Sequence, residues 1–114
     1  MIKKGKLNVG IIGCGTIGFK RASSLIDGNI IGCYDKQINL SKKFSRDFKC
    51  QNFQSIKKIC QNKEIDVIFV CTYHNSLDKI TLEALENKKH VLVEKPAAIS
   101  LKKLSILVKK YSKL

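Results

Sequence analysis

Three glycines, Gly13, Gly15 and Gly18, stand directly behind the apolar run Leu7-Asn8-Val9-Gly10-Ile11-Ile12 and ahead of a stretch with helical spacing. Placed between a strand and a helix, this pattern suits a dinucleotide: the first glycine makes the tight turn, the second lets backbone reach a pyrophosphate, and the third brings helix and strand together. The anion rests on the free N–H groups at the start of the helix, at the positive end of the helix dipole. Asp35 lies 20 residues beyond Gly15 and closes the apolar run Asn29-Ile30-Ile31-Gly32-Cys33-Tyr34. An acid at the tip of a second strand can accept hydrogen bonds from adenosine ribose hydroxyls and would repel a 2′-phosphate, which favours NAD. Lys36 beside it offers a cation to such a phosphate, so NADP stays open. The alternative reading of Asp35 is a plain turn residue before a helix.

These groups need a frame, and the chain alternates strands and helices with short connections, the pattern of a parallel sheet covered on both faces. The spacing predicts a first strand over about 7–12 and a first helix over about 16–27, buried through Ile17, Ala22, Leu25 and Ile26. Asp27-Gly28-Asn29 supplies its stop. A second strand follows over about 30–34, a second helix over 38–48, a short edge strand over 50–53, and a helix opening at Gln54 or Ser55 and running to Asn62. Asp66-Val67-Ile68-Phe69-Val70-Cys71-Thr72 is nearly continuous in apolar character, as a central parallel strand should be. A helix over 75–87 and a fifth strand, His90 to Glu94, come next. Pro96 breaks pairing, and Ser100 can cap a last helix carrying Leu101, Leu104, Leu107, Val108 and Tyr111 on one face. The expected fold class is α/β, a doubly wound parallel sheet (Rossmann fold) with strand order 3-2-1-4-5. Ligands of such sheets bind beyond the carboxyl ends of the strands, where the order reverses. The glycine turn, Asp35, Thr72 to Asn75 and Glu94 to Pro96 all fall on that edge.

At 114 residues the chain is long enough for one domain with a core and too short for two ordinary ones, so a single unit spanning 1–114 is expected. No run approaches the roughly 20 apolar residues of a membrane span, and Met1 to Lys6 carry no signal-peptide hydrophobic region, which gives a cytoplasmic expectation. The five cysteines, at 14, 33, 50, 60 and 71, show no metal-ligand spacing, so no metal is expected, and they read as small buried hydrophobes of a reducing compartment. A net charge of +13 could attract nucleic acid, but the lysines are spread in pairs along the presumed outer helix faces. No aromatic-interleaved basic strand or helix-turn-helix signature accompanies them, which disfavours nucleic acid as the partner.

The residues resemble the Gfo/Idh/MocA family of oxidoreductases. The likeness rests on Val9 to Gly18, on Asp35, on Asp66 to Thr72, and most specifically on Ala84 to Pro96, which is similar to the family's strand leading into its Glu-Lys-Pro motif. The resemblance implies an N-terminal domain binding NAD or NADP. It places Gly13, Gly15, Thr16, Ile17, Gly18, Asp35, Thr72, Tyr73, His74 and Glu94 along the cofactor. It also makes Lys95 the catalytic group that exchanges a proton with the hydroxyl being oxidised. Tyr73 replaces the family's usual proline, and Leu77 stands where it usually has a histidine. The family places a sheet-rich α+β domain after this one, which supplies other catalytic residues and most of the pocket; no stretch of the sequence corresponds to it. The implied activity is hydride transfer between a nicotinamide cofactor and a sugar or polyol hydroxyl. A non-catalytic NAD-binding or sensing module, and a basic nucleic-acid-binding protein, are the alternatives from other classes.

Overall fold

The computed structural model describes residues 7–25, 28–72 and 77–93. Five parallel strands, β1 (Leu7–Ile12), β2 (Gly28–Tyr34), β3 (Gln51–Asn52), β4 (Val67–Val70) and β5 (His90–Val93), form one sheet in the order β3-β2-β1-β4-β5. The helices α1 (Thr16–Ser23), α2 (Ile38–Phe48), α3 (Ile56–Gln61) and α4 (Leu77–Glu86) alternate with them. The α/β class and the strand order match the expectation from the sequence.

Alternating side chains of β1 divide the core. Val9 and Ile11 point to one face, where Ala22 of α1, Phe44 of α2 and Cys33 of β2 pack around them. Ile12 joins Ile68 and Val70 of β4 on the other, beneath Ile59 of α3 and Leu77, Ile80 and Ala84 of α4. Burying each large apolar side chain contributes about 1.5–3 kcal/mol. The two-residue β3 adds little pairing, so these clusters hold the sheet together and fix the position of its upper edge.

Several boundaries differ from the periodicity. Helix α1 ends at Ser23: the Ser24 N–H makes a last helical bond to Lys20 O (3.2 Å), after which the Ser24 hydroxyl donates to the Arg21 carbonyl (3.1 Å) and the Leu25 N–H tightens onto Ala22 O (3.3 Å), local alternatives to another helical turn. Ile26 and Asp27, expected at its end, lie outside the described residues. Strand β2 starts at Gly28, earlier than expected, since it pairs with β1 from Leu7 onward, and a shift of register between Val9 and Gly10 accommodates its extra residue. Helix α2 spans the expected residues and stops where Lys49 adopts a left-handed conformation (φ 53°). Ser55 caps α3, its hydroxyl accepting the Lys58 N–H at 3.0 Å. Among the described residues no helix is long and apolar enough to cross a membrane.

Candidate functional site

The upper edge of the sheet is built around Gly13. Its φ of +102° is a left-handed value that favours glycine, and a side chain there would come within 2.6 Å of the Cys71 carbonyl group at the end of β4. The Gly13 N–H donates to Tyr34 O at 2.8 Å, and the Cys71 N–H donates to Ile12 O at 2.7 Å, so the ends of β1, β2 and β4 are drawn together at this turn. Gly18, in the first turn of α1, packs directly over it. A methyl group on Gly18 would lie 1.9 Å from the Gly13 carbonyl oxygen, which ties the third glycine to helix–strand approach.

Gly15 differs from both. It is the N-cap of α1 and, being glycine, brings no side chain to cap the helix start, and the first turn holds no acidic residue. Among the described residues, a Cβ built on it would meet nothing within 4 Å. The opening N–H groups of a helix lack intrahelical partners, and here nothing acidic from the helix itself competes for them. Thr16 and Ile17 are exposed beside this space. A cradle closed by backbone on one side and open on the other fits the diphosphate of a dinucleotide.

Asp35 closes the cradle on the β2 side. Its Oδ2 accepts the Cys14 N–H at 2.7 Å and its Oδ1 accepts the Gln37 N–H at 2.7 Å, so the carboxylate spans from the glycine turn to the entrance of α2. The turn role considered for this aspartate is therefore filled, while the half-buried carboxylate still presents its remaining lone pairs at the edge. On the β4 side, Thr72 follows Cys71. Among the described residues its hydroxyl oxygen is buried without a hydrogen-bond partner. A buried hydroxyl left unpaired beside an open cradle suits a ligand atom.

The structure thus brings together Gly13, Gly15, Thr16, Ile17, Gly18, Asp35 and Thr72. Tyr73, His74, Glu94 and Lys95 lie outside the described residues. Leu77, at the position where the resemblance expects histidine, is 1% exposed and packs into the core at the start of α4.

Sequence reasoning missed the role of Cys14. Its thiol donates to Tyr34 O at 3.5 Å, next to the bond its amide makes with Asp35. Below it, a hydrogen bond with the Cys14 thiol, together with burial, pushes Cys33 up to about 12 against a lowering by Cys50. Cys50 is itself raised, first by its bond with Cys33 and then by burial. Such thiols stay protonated at neutral pH, which argues against a nucleophile here. All five cysteines are free. The separations along the chain gave no hint of this grouping, because it forms only when β1 and β2 pair.

The model of an oxidoreductase family with an NAD-binding Rossmann fold, GFO_IDH_MocA, matches residues 7–114. Among related proteins, the chain is 31% identical over 97 residues to 2,7-anhydro-N-acetylneuraminate hydratase of Escherichia coli, covering 82% of this chain and 26% of that protein. It is 31% identical over 102 residues to glucose-6-phosphate 3-dehydrogenase of Bacillus subtilis, covering 87% and 29%. Biliverdin reductase from Synechocystis, solved with biliverdin and NADP+, superposes with a TM-score of 0.81 at 27% identity, covering 95% of this chain and 36% of that one. The chain spans about a quarter to a little over a third of the length of these proteins.

Proposed function

The chain belongs to the Gfo/Idh/MocA family of oxidoreductases and has its NAD-binding Rossmann fold, and from that premise we propose that it holds NAD across the β1, β2 and β4 ends and forms the cofactor half of an enzyme acting on a carbohydrate or polyol hydroxyl. The observation that carries this reading is the space left open among the described residues at Gly15, the N-cap of α1. Backbone N–H groups of Gly15, Thr16 and Ile17 bind the diphosphate, while Gly13 and Gly18 hold the turn in shape. Asp35 accepts the adenosine ribose hydroxyls and disfavours a 2′-phosphate. The Thr72 hydroxyl, with Tyr73 and His74 after it, lines the path toward the nicotinamide.

Bound nicotinamide would supply hydride acceptance or donation. Glu94 contacts the cofactor, and Lys95 exchanges a proton with the substrate hydroxyl. A lysine beside a positively charged ring has its charged form disfavoured, which suits proton transfer near neutral pH. A carbohydrate as substrate is supported by the names of the two relatives, one a glucose-6-phosphate 3-dehydrogenase and one a 2,7-anhydro-N-acetylneuraminate hydratase. The biliverdin reductase shows that the same domain also accompanies a different substrate.

Calorimetric titration of the 114-residue chain with NAD and with NADP tests the binding half. Saturable binding that is tighter for NAD is expected, and no detectable heat at about 1 mM of either would overturn it. For the chemical half, Lys95→Ala in the protein that carries this chain should abolish turnover of its sugar or polyol substrate while NAD affinity stays within about threefold. A variant that turns over normally would remove Lys95 from the reaction.

A further inference from the structure

Asp35 does more than end a strand. Its two carboxylate oxygens accept backbone N–H groups from different segments, Cys14 in the glycine turn and Gln37 at the entrance of α2, each at 2.7 Å. Charge-assisted bonds of this length are among the stronger hydrogen bonds in proteins, and two of them on one short side chain fix both of its torsions. The bond to Cys14 is flanked by Gly13 N–H to Tyr34 O (2.8 Å) and by the Cys14 thiol to the same carbonyl (3.5 Å). The Asp35 carboxylate is the only side-chain acceptor among these links. Cys14 itself lies between Gly13, which makes the turn, and Gly15, which opens the cradle.

We propose that Asp35 is a positioning residue for the phosphate cradle, holding the Gly13–Gly15 turn in its binding shape through the Cys14 N–H, in addition to meeting the ribose. The proposal rests on the cofactor reading above. It has a consequence that a ribose contact alone does not have. If Asp35 acted only on the ribose, replacing it by alanine would cost NAD its hydroxyl contacts and, with Lys36 adjacent, would improve NADP. A strut behaves otherwise, because its removal loosens the turn that both cofactors share, and NAD and NADP weaken together. A carboxylate pinned from two sides also cannot swing aside for a 2′-phosphate, so the wild type should discriminate sharply.

The test titrates wild type, Asp35→Ala and Asp35→Asn with NAD, NADP and an NAD analogue whose adenosine carries no 2′- or 3′-hydroxyl. Asp35→Ala should bind the analogue about tenfold more weakly than wild type does, and should not gain affinity for NADP. Asp35→Asn keeps one acceptor oxygen and should recover analogue binding to within about threefold of wild type. Unchanged analogue binding in Asp35→Ala, or tighter NADP binding, would overturn the proposal. A residue that merely stabilised the fold would lower the melting temperature and leave the affinities of the folded protein unchanged, and that result also counts against it. Hydrogen exchange of the Cys14 amide in the free chain gives a readout independent of any cofactor, with exchange at least about tenfold faster expected in Asp35→Ala. If wild type bound none of the three ligands, the cofactor reading would fail and positioning for a cofactor with it, whereas faster Cys14 exchange alone would show the strut to be purely structural.

Discussion

The two ends of the central strand use the same device for opposite purposes. At its lower end the Asn8 N–H donates to the Asp66 carboxylate at 2.8 Å, and just past its upper end the Cys14 N–H donates to the Asp35 carboxylate at 2.7 Å. Around Asp66 further side chains are spent on backbone: Asn8 Nδ2 reaches Glu64 O at 3.0 Å, and the Lys89 ammonium reaches Asn62 O and Ile65 O at 2.6 and 2.7 Å. Around Asp35 the arrangement stops short of closure among the described residues, leaving an open direction at Gly15 and an unpaired hydroxyl at Thr72. Closure at one end and incompleteness at the other fit the proposal that the Asp35 end receives the ligand.

Gly18→Ala should break the upper end most severely. Its methyl group would sit 1.9 Å from the Gly13 carbonyl oxygen, a backbone atom that cannot turn away, so helix and strand must separate. A loss of about 3 kcal/mol or more in urea unfolding is expected, together with loss of NAD binding. A Gly18→Ala variant with near wild-type stability would show that α1 does not pack on the turn as described.

Gly15→Ala should separate binding from folding. The added methyl meets no atom of the described residues within 4 Å, and the N-cap backbone (φ −83°, ψ −158°) is open to any residue. Stability should change by about 1 kcal/mol at most, while NAD affinity falls by roughly two orders of magnitude because the methyl occupies the space assigned to the diphosphate. Equal affinity in calorimetry would move the diphosphate elsewhere.

Much of this contrast was legible in the sequence and some of it was not. The strand order followed from apolar runs and short connections, and the three glycines carried their roles in their spacing. What stayed hidden depends on contacts between segments distant in the chain. Cys14 meets Asp35 across 21 residues, and Lys89 meets Asn62 across 27; neither cysteine nor lysine carries a local signal for such a bond. The early end of α1 turned on one Ser24 hydroxyl, which periodicity does not weigh. The turn role of Asp35 was legible as one of two readings, but that it fills that role with both oxygens emerged only from the geometry.

At the lower end, Lys89→Met keeps the aliphatic stem and removes the ammonium that satisfies two carbonyls. A cost of about 1–2 kcal/mol in stability is expected, with NAD affinity unchanged within about twofold. An affinity loss as large as that of Gly15→Ala would erase the distinction between the two ends.

The smallest effect is on the pH dependence of stability, and its sign differs between the groups involved. Burial, with a nearby Glu83 outweighing the opposing Lys89, pushes the Cys60 thiol up to about 12, and Cys33 is raised to about 12 by its bond with Cys14. Unfolded thiols ionise near their ordinary 9.0, so above that pH the unfolded chain binds fewer protons than the folded one and stability falls as pH rises toward 12. Lys89 works the other way. Burial lowers it from its ordinary 10.5, despite Asp66 and Cys60 raising it, so below 10.5 the unfolded chain holds the proton more firmly and stability gains as pH rises. The thiols, more deeply buried and more numerous, dominate, so wild type should lose stability as pH rises from 9.0 toward about 12. Lys89→Met removes the opposing contribution and also the cation that restrains the rise of Cys60. Its urea midpoint should therefore fall more steeply over that range than that of wild type, and a shallower fall would mean that the Lys89 ammonium is not desolvated at the closed end of the sheet.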